Sequence, residues 1–255
     1  MDLEATRIQN IELERKRSLQ LQRLQAMFYL VGGLCFTGGS CMYITKIYEN
    51  HESALSFGGW LFVIGGLLFI CGDLQDWWNH RSGYCFEKLR QTTLDDVSLS
   101  QSFEASNQSQ TTKIELNVFG SICGTIFYAT GCLFFLPIFE YYEVIGEWFF
   151  IVGATFAIGS LLWKMYRTSA RNDLDENDHR FLLRRLLNDI PSLIMDIFSL
   201  LGNLSFFVGT IFFLPYNNKR DAVENRAASL FIFGSLCFVA SSICLQYTLF
   251  CYRRR

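Results

Sequence analysis

Proline and histidine are scarce in this chain, three of each in 255 residues. The histidines (His51, His80, His179) stand alone, and the nine cysteines contain no C-x-x-C pair. Neither a metal centre nor a paired redox motif is therefore expected. Eight cysteines lie in uncharged stretches; in seven of them the thiol is expected to act as a small apolar side chain, and the eighth, Cys251, beside the basic tail, is a palmitoylation candidate. The series Asp173, Asp175, Asn177 begins like a calcium loop, but Asp178 stands where that loop needs glycine and Arg184 where it needs glutamate, which excludes it. No glycine-rich phosphate loop is present, and no nucleophile or acid–base constellation is visible. Neither an enzyme nor a cofactor is expected.

Charge is absent from long parts of the chain. Residues 27–45, 54–72, 116–139, 148–163, 197–216 and 227–252 contain no Asp, Glu, Lys or Arg. A soluble helix must show water a polar face, and these stretches have none. Five are long enough to cross a bilayer unaided, since a span takes about 20 residues; the fourth reaches that length as 144–163, with Glu147 its only charge. Runs such as Trp148–Gly153 (WFFIVG) lack the alternation of a barrel strand. The fold class is all-α and integral to a membrane, with six transmembrane helices.

Basic residues orient the spans. The N-terminus, the loops after spans two and four, and the C-terminus hold 18 of the 22 Lys and Arg, so both termini are expected on the cytoplasmic side. Asn107-Gln-Ser would then escape glycosylation. Residues 1–25 are charged throughout, without the apolar core of a secretory signal, and their glutamates argue against a mitochondrial presequence. They read as a charged cytoplasmic helix, solvated or lying amphipathically on the membrane surface.

What the chain has in plenty is glycine and aromatic side chains. It contains 25 Phe, 11 Tyr and 5 Trp, and of its 19 glycines all but Gly83 and Gly146 fall in the uncharged stretches. Trp77, Trp78, Tyr141, Tyr142 and Trp148 stand near span ends, where amphipathic rings settle at the headgroup level. The glycines repeat. Gly131–Pro137 reads GCLFFLP and Gly209–Pro215 reads GTIFFLP; Gly124 and Gly202 precede them by seven residues, and Gly32 and Gly39 match in span one. Spans two, four and six align through WLFVIG, WFFIVG and SLFIFG. The unit is a two-helix hairpin present three times: 26–78, 114–167 and 191–252. Around it lie the N-terminal segment 1–25, a polar linker 79–113, an acidic then amphipathic linker 168–190, and the tail 253–255. The Ser/Gln/Asn/Thr-rich run from Ser98 to Thr112 reads as flexible linker, although its hydroxyls also admit phosphorylation.

Small residues let membrane helices approach closely, so Gly32, Gly39, Gly120, Gly124, Gly131, Gly153, Gly159, Gly202, Gly209 and Gly234 are the candidate packing residues. Ionisable residues (Lys46, Asp73, Asp76, Glu115, Glu147, Lys164, Asp196) all fall at the ends of the uncharged runs, where they are expected to reach water; a proton relay is disfavoured. Neutral polar groups within spans (Thr125, Thr130, Asn203, Ser205, Gln246) suit interhelical hydrogen bonding.

The segment WFFIVGATFAIGSLL (Trp148–Leu162), preceded by a helix with the pattern of FVGTIFFLP, resembles the YrhK-like family, a two-helix membrane module. The likeness is strongest over 116–167 and weaker over 27–78 and 197–250, where Ala240 replaces the second glycine. It implies a fold and brings no catalytic residues. Three hairpins also resemble mitochondrial carriers, but the charged motif that follows their prolines is missing after Pro137 and Pro215, and Thr45 stands where the first proline would be. The expected role is a non-enzymatic structural or assembly module, with the lipid bilayer, other membrane subunits or further copies of itself as partners and no nucleic acid. The alternative is a channel or small-solute transporter with a neutral polar path between the hairpins.

Overall fold

The computed structural model describes residues 2–51, 53–81, 102–170, 187, 190–214 and 221–252. Among these the structure is all helical. Helix α1 spans Asp2–Met42, the short α2 Thr45–Tyr48, α3 Ala54–Arg81, α4 Ser102–Phe134, α5 Glu143–Ala170, α6 Ile190–Phe213 and α7 Asp221–Tyr252; a 3-10 turn, Pro137–Tyr142, joins α4 to α5. All but α2 contain a segment long and apolar enough to cross a membrane: Leu19–Met42, Ala54–Asn79, Glu115–Phe134, Glu143–Ser169, Ile190–Phe213 and Val223–Phe250. In hydrocarbon a helix satisfies its own backbone groups, so uncharged sequence of this length has few alternatives.

Two differences from the sequence reading concern where helices end. The charged N-terminal segment is continuous with the first span as one helix, α1. Helix α4 starts at Ser102, so most of the run read as flexible linker is helical, an extension of a helix already nucleated in the membrane. The remaining linker, 82–101, and the acidic and amphipathic stretch from Asp173 and Phe181 lie outside the described residues.

α1 packs on α3, α4 on α5 and α6 on α7. The contacts recur at matching positions. A methyl group built on Gly32 would stand 3.2 Å from Gly65 O, one on Gly124 3.1 Å from Gly153 O, and one on Gly202 3.1 Å from Gly234 O. Two turns further, Gly39 faces Gly58 O, Gly131 faces Gly146 O and Gly209 faces Ala227 O. Backbones that close leave no room for a side chain. Gly120 and Gly159 stand apart from this pattern, with nothing within 4 Å of an added Cβ.

α1 also packs on α7, α3 on α4, and α5 on α6, which closes the six long helices into a ring. Aromatic side chains fill its centre. Phe36, Tyr128 and Phe206, four residues after Gly32, Gly124 and Gly202, meet with all three centroid separations at 5.6 Å. Two turns on, Tyr43, Phe135 and Phe213 form a second triangle at 6.2, 6.3 and 6.5 Å. Phe62, Phe150 and Phe231 from the partner helices wedge beside both layers. Between the triangles sit Ser40, Cys132 and Thr210, fully buried. Ser40 and Thr210 return their hydroxyls to the carbonyls of Phe36 and Phe206. The hydroxyls of these two residues are thus satisfied inside the plug.

Candidate functional site: a polar vestibule inside the ring

Toward the end of the ring that carries the start of α1, the aromatic plug gives way to a cavity of about 480 Å³. Its wall draws on all three hairpins. It runs from Gln22, Asn79, Asn117 and Arg167 at the mouth to Tyr128 and Asn203 beside the plug. At about 1.5 Å rise per residue, Asp73 lies roughly 9 Å inside the end of its span at Asn79, and Thr125 about 15 Å from the start of its span at Glu115.

Asp73 is 8% exposed. Its Oδ1 accepts the Tyr29 hydroxyl at 2.6 Å; its Oδ2 accepts Ser121 Oγ at 3.3 Å and also Thr125 Oγ1. These bonds tie the first hairpin to the second. The second is tied to the third by Lys164, whose Nζ donates to Asp196 Oδ1 at 2.7 Å, with Asp196 buried. Hydroxyls finish the wall: Ser160 bonds Asn117 at 3.0 Å, Ser199 and Ser241 lie 2.8 Å apart, and Asn203 donates to Ser199 O at 2.8 Å. Tyr128 Oη and Asn79 Nδ2, both on lining residues, have no hydrogen-bond partner among the described residues, although each residue is only 6% exposed.

Here the expectation that every ionisable residue sits at a water-accessible span end is corrected. Asp73, Asp196 and Glu147 are buried, at 8%, 6% and 2% exposure. A charge that interrupts an apolar run does not end the helix: α3 continues to Arg81, α5 runs past Lys164 to Ala170, and α6 begins at Ile190, before Asp196. For Asp73 and Asp196 the ring interior supplies the polar surroundings that lipid would deny them. The cavity wall between the hairpins is accordingly charged as well as polar. Of the neutral polar residues singled out in the sequence, Thr125 and Asn203 line the cavity. Thr130 and Ser205 bond carbonyls of their own helices, and Gln246 reaches Met27 Sδ at 3.4 Å. Among the candidate packing glycines, Gly124 and Gly153 also line the cavity.

Tyr29 and Tyr128 were not foreseen. Both are visible once the hairpins are aligned: Tyr128 puts a hydroxyl where the other hairpins have Phe36 and Phe206, and Tyr29 stands where they have Ser121 and Ser199. Asp73 corresponds to Leu161 and Ser242, and Lys164 to Asp76 and Leu245. The plug is close to threefold in composition. The vestibule is not.

At the opposite end the first and third hairpins are latched. Tyr48 Oη donates to Glu224 Oε2 at 2.7 Å and Thr45 N to Asn225 Oδ1 at 3.1 Å. Burial and then this bond to Glu224 push the Tyr48 phenol above its ordinary range.

These features define a multi-pass integral membrane protein: a ring of six helices, plugged at one end and open to a polar cavity at the other. The family model described as YrhK-like protein matches residues 190–245, the hairpin of α6 and most of α7. The resemblance read from the glycine and aromatic pattern is thus shown, and the match falls on the third hairpin, whereas the pattern reads most clearly in the second. No curated protein and no solved structure matches the chain.

Proposed function

We propose that this protein is a non-enzymatic membrane carrier that binds a small polar solute in the vestibule and passes it across when the aromatic plug parts. One observation carries this reading: a carboxylate buried inside the span, Asp73, held by hydroxyls from two hairpins on the wall of a cavity of about 480 Å³, at a position where the other hairpins have leucine and serine. That volume is within the range of small-molecule sites. An assembly role would account for the glycine contacts and the plug, since these need only hold helices together. It gives no reason for polar groups of both charge signs around a cavity, which a purely structural core would replace with apolar packing.

The test is reconstitution of the full chain in sealed vesicles loaded with radiolabelled polar solutes. Saturable flux that Asp73→Asn abolishes supports the carrier. Absence of flux together with stoichiometric copurification of other membrane subunits from the native membrane would return the assembly reading.

A further inference from the structure

The vestibule wall also specifies what kind of solute it suits. Five charged side chains line it: Asp73, Asp76, Lys164, Arg167 and Asp196. Lys164 and Asp196 compensate each other at 2.7 Å. Asp73 has no such partner. Its bonds are to Tyr29, Ser121 and Thr125, and among the described residues no Lys or Arg reaches it. Asp76, one turn away on α3 and also on the wall, is acidic as well. A carboxylate inside a membrane span, stabilised by O–H donors but lacking a counter-ion, is a charge awaiting one.

Hydrogen-bonding capacity narrows the class. Tyr29 and Ser121 direct their one proton to Asp73, and Thr125 shares its proton between Asp73 and Ser121 O at 3.0 Å, yet each oxygen keeps lone pairs. Tyr128 lies three residues beyond Thr125 on α4, on the same face, and its buried hydroxyl has no partner among the described residues. The deep wall between the first and second hairpins therefore presents a carboxylate and four hydroxyl oxygens, rich in acceptors and poor in spare donors. A group bringing one positive charge and several N–H donors fits it. Resting on the reading of the vestibule as a solute site, we infer that the solute carries a protonated amino group, which docks on Asp73 with the hydroxyl oxygens of Tyr29, Ser121, Thr125 and Tyr128 around it. An alkali ion would satisfy the charge but leave most of a 480 Å³ cavity unfilled. An amine of a few carbons extends toward the amides of Asn117 and Asn203, which also line the cavity.

Binding is measured on the full chain in nanodiscs by titration calorimetry and by the shift in thermal midpoint, at matched ionic strength. The probes are n-butylammonium chloride, 1,4-diaminobutane dihydrochloride, choline chloride, sodium chloride and sodium butyrate. Butylammonium and diaminobutane are expected to bind saturably and raise the midpoint. Choline, which has no N–H, binds at least tenfold more weakly, and sodium chloride and butyrate have no saturable effect. Asp73→Asn weakens amine binding roughly tenfold or more, the scale of a charge-assisted hydrogen bond. Tyr128→Phe, which keeps the ring in the plug, weakens it several-fold and decides the matter should Asp73→Asn not fold. The inference is overturned if neither amine binds, if sodium ion alone gives the response, if choline binds as well as butylammonium, or if both variants bind amine like the parent. Amine binding without flux would sink the carrier reading and leave this site standing. Flux of a neutral or anionic solute without amine binding would do the reverse.

Discussion

Gly153 is the point at which the second hairpin closes. A Cβ there would lie 2.8 Å from both Gly124 O and Tyr128 N, main-chain atoms with no rotamer to yield. Gly153→Ala should therefore force α4 and α5 apart and destabilise by roughly 2 kcal/mol or more, the scale of overpacking. It should also displace Tyr128 at the cavity. Gly120→Ala and Gly159→Ala meet nothing within 4 Å and should be neutral or stabilising by about 0.5 to 1 kcal/mol, the ordinary helix preference for alanine. Thermal unfolding in one detergent checks all three. The sequence marks these glycines alike, because spacing alone does not say which face meets a neighbour. Residues six apart are turned about 240° from each other at about 100° per residue, so Gly159 does not share the face of Gly153. Glu147 is a second residue-scale case. It occupies the position of Gly59 and Ala228, is 2% exposed, and has no partner for its Oε2 among the described residues. Burying an unsatisfied acceptor that can carry charge costs on the order of 1 to 3 kcal/mol. Glu147→Gln should raise the thermal midpoint by a few degrees; a fall would mean that the carboxylate is needed.

Between elements, the α5–α6 contact depends on the pair Lys164 and Asp196 more than on glycine. The glycines of α5 and α6 meet their own hairpin partners or nothing within 4 Å, and Asp196 is buried. Lys164→Met leaves that carboxylate uncompensated and should cost about 3 kcal/mol or more, whereas Lys164→Met with Asp196→Leu should recover much of the loss. A double-mutant cycle on the thermal midpoint reads the coupling, and additive losses would show that the pair contributes little. The helices themselves were legible in the sequence, because lipid imposes one rule on an uncharged run of 20 residues. Their ends were not. A window that stops at the first charge places Asp73, Lys164 and Asp196 at the ends of spans, while the chain continues as helix for about two turns beyond each, shielded by the ring it helps to build. The contacts that build the ring, α1 with α7, α3 with α4 and α5 with α6, join different hairpins and leave no periodic trace. The vestibule they enclose was hidden for the same reason, although the breaks in the repeat at Tyr29, Asp73 and Tyr128 were present for a reader who aligned the hairpins and looked at what failed to repeat.

For the whole molecule the decisive property is sidedness, in which the charge distribution and the cavity make one joint prediction. The vestibule opens at the end that carries the start of α1, and the latch of Tyr48 with Glu224 is at the other. The side with the termini holds 18 of the 22 Lys and Arg, so the cavity should face the cytoplasm while the two aromatic triangles seal it from the far side. A cysteine placed at Ser121, on the cavity wall, should react with a membrane-impermeant maleimide applied from the cytoplasmic side only. One placed at Tyr141, 91% exposed at the opposite end, should react only from the other side. Both are read against the labelling of the native cysteines, of which Cys71 is exposed toward lipid or solvent. Reaction of both positions with the sides exchanged would invert the orientation drawn from the basic residues and leave the cavity intact. Reaction at position 121 from both sides would instead mean that the plug opens spontaneously. The protein would then conduct as a channel, and the nine aromatic rings would be a gate rather than a wall.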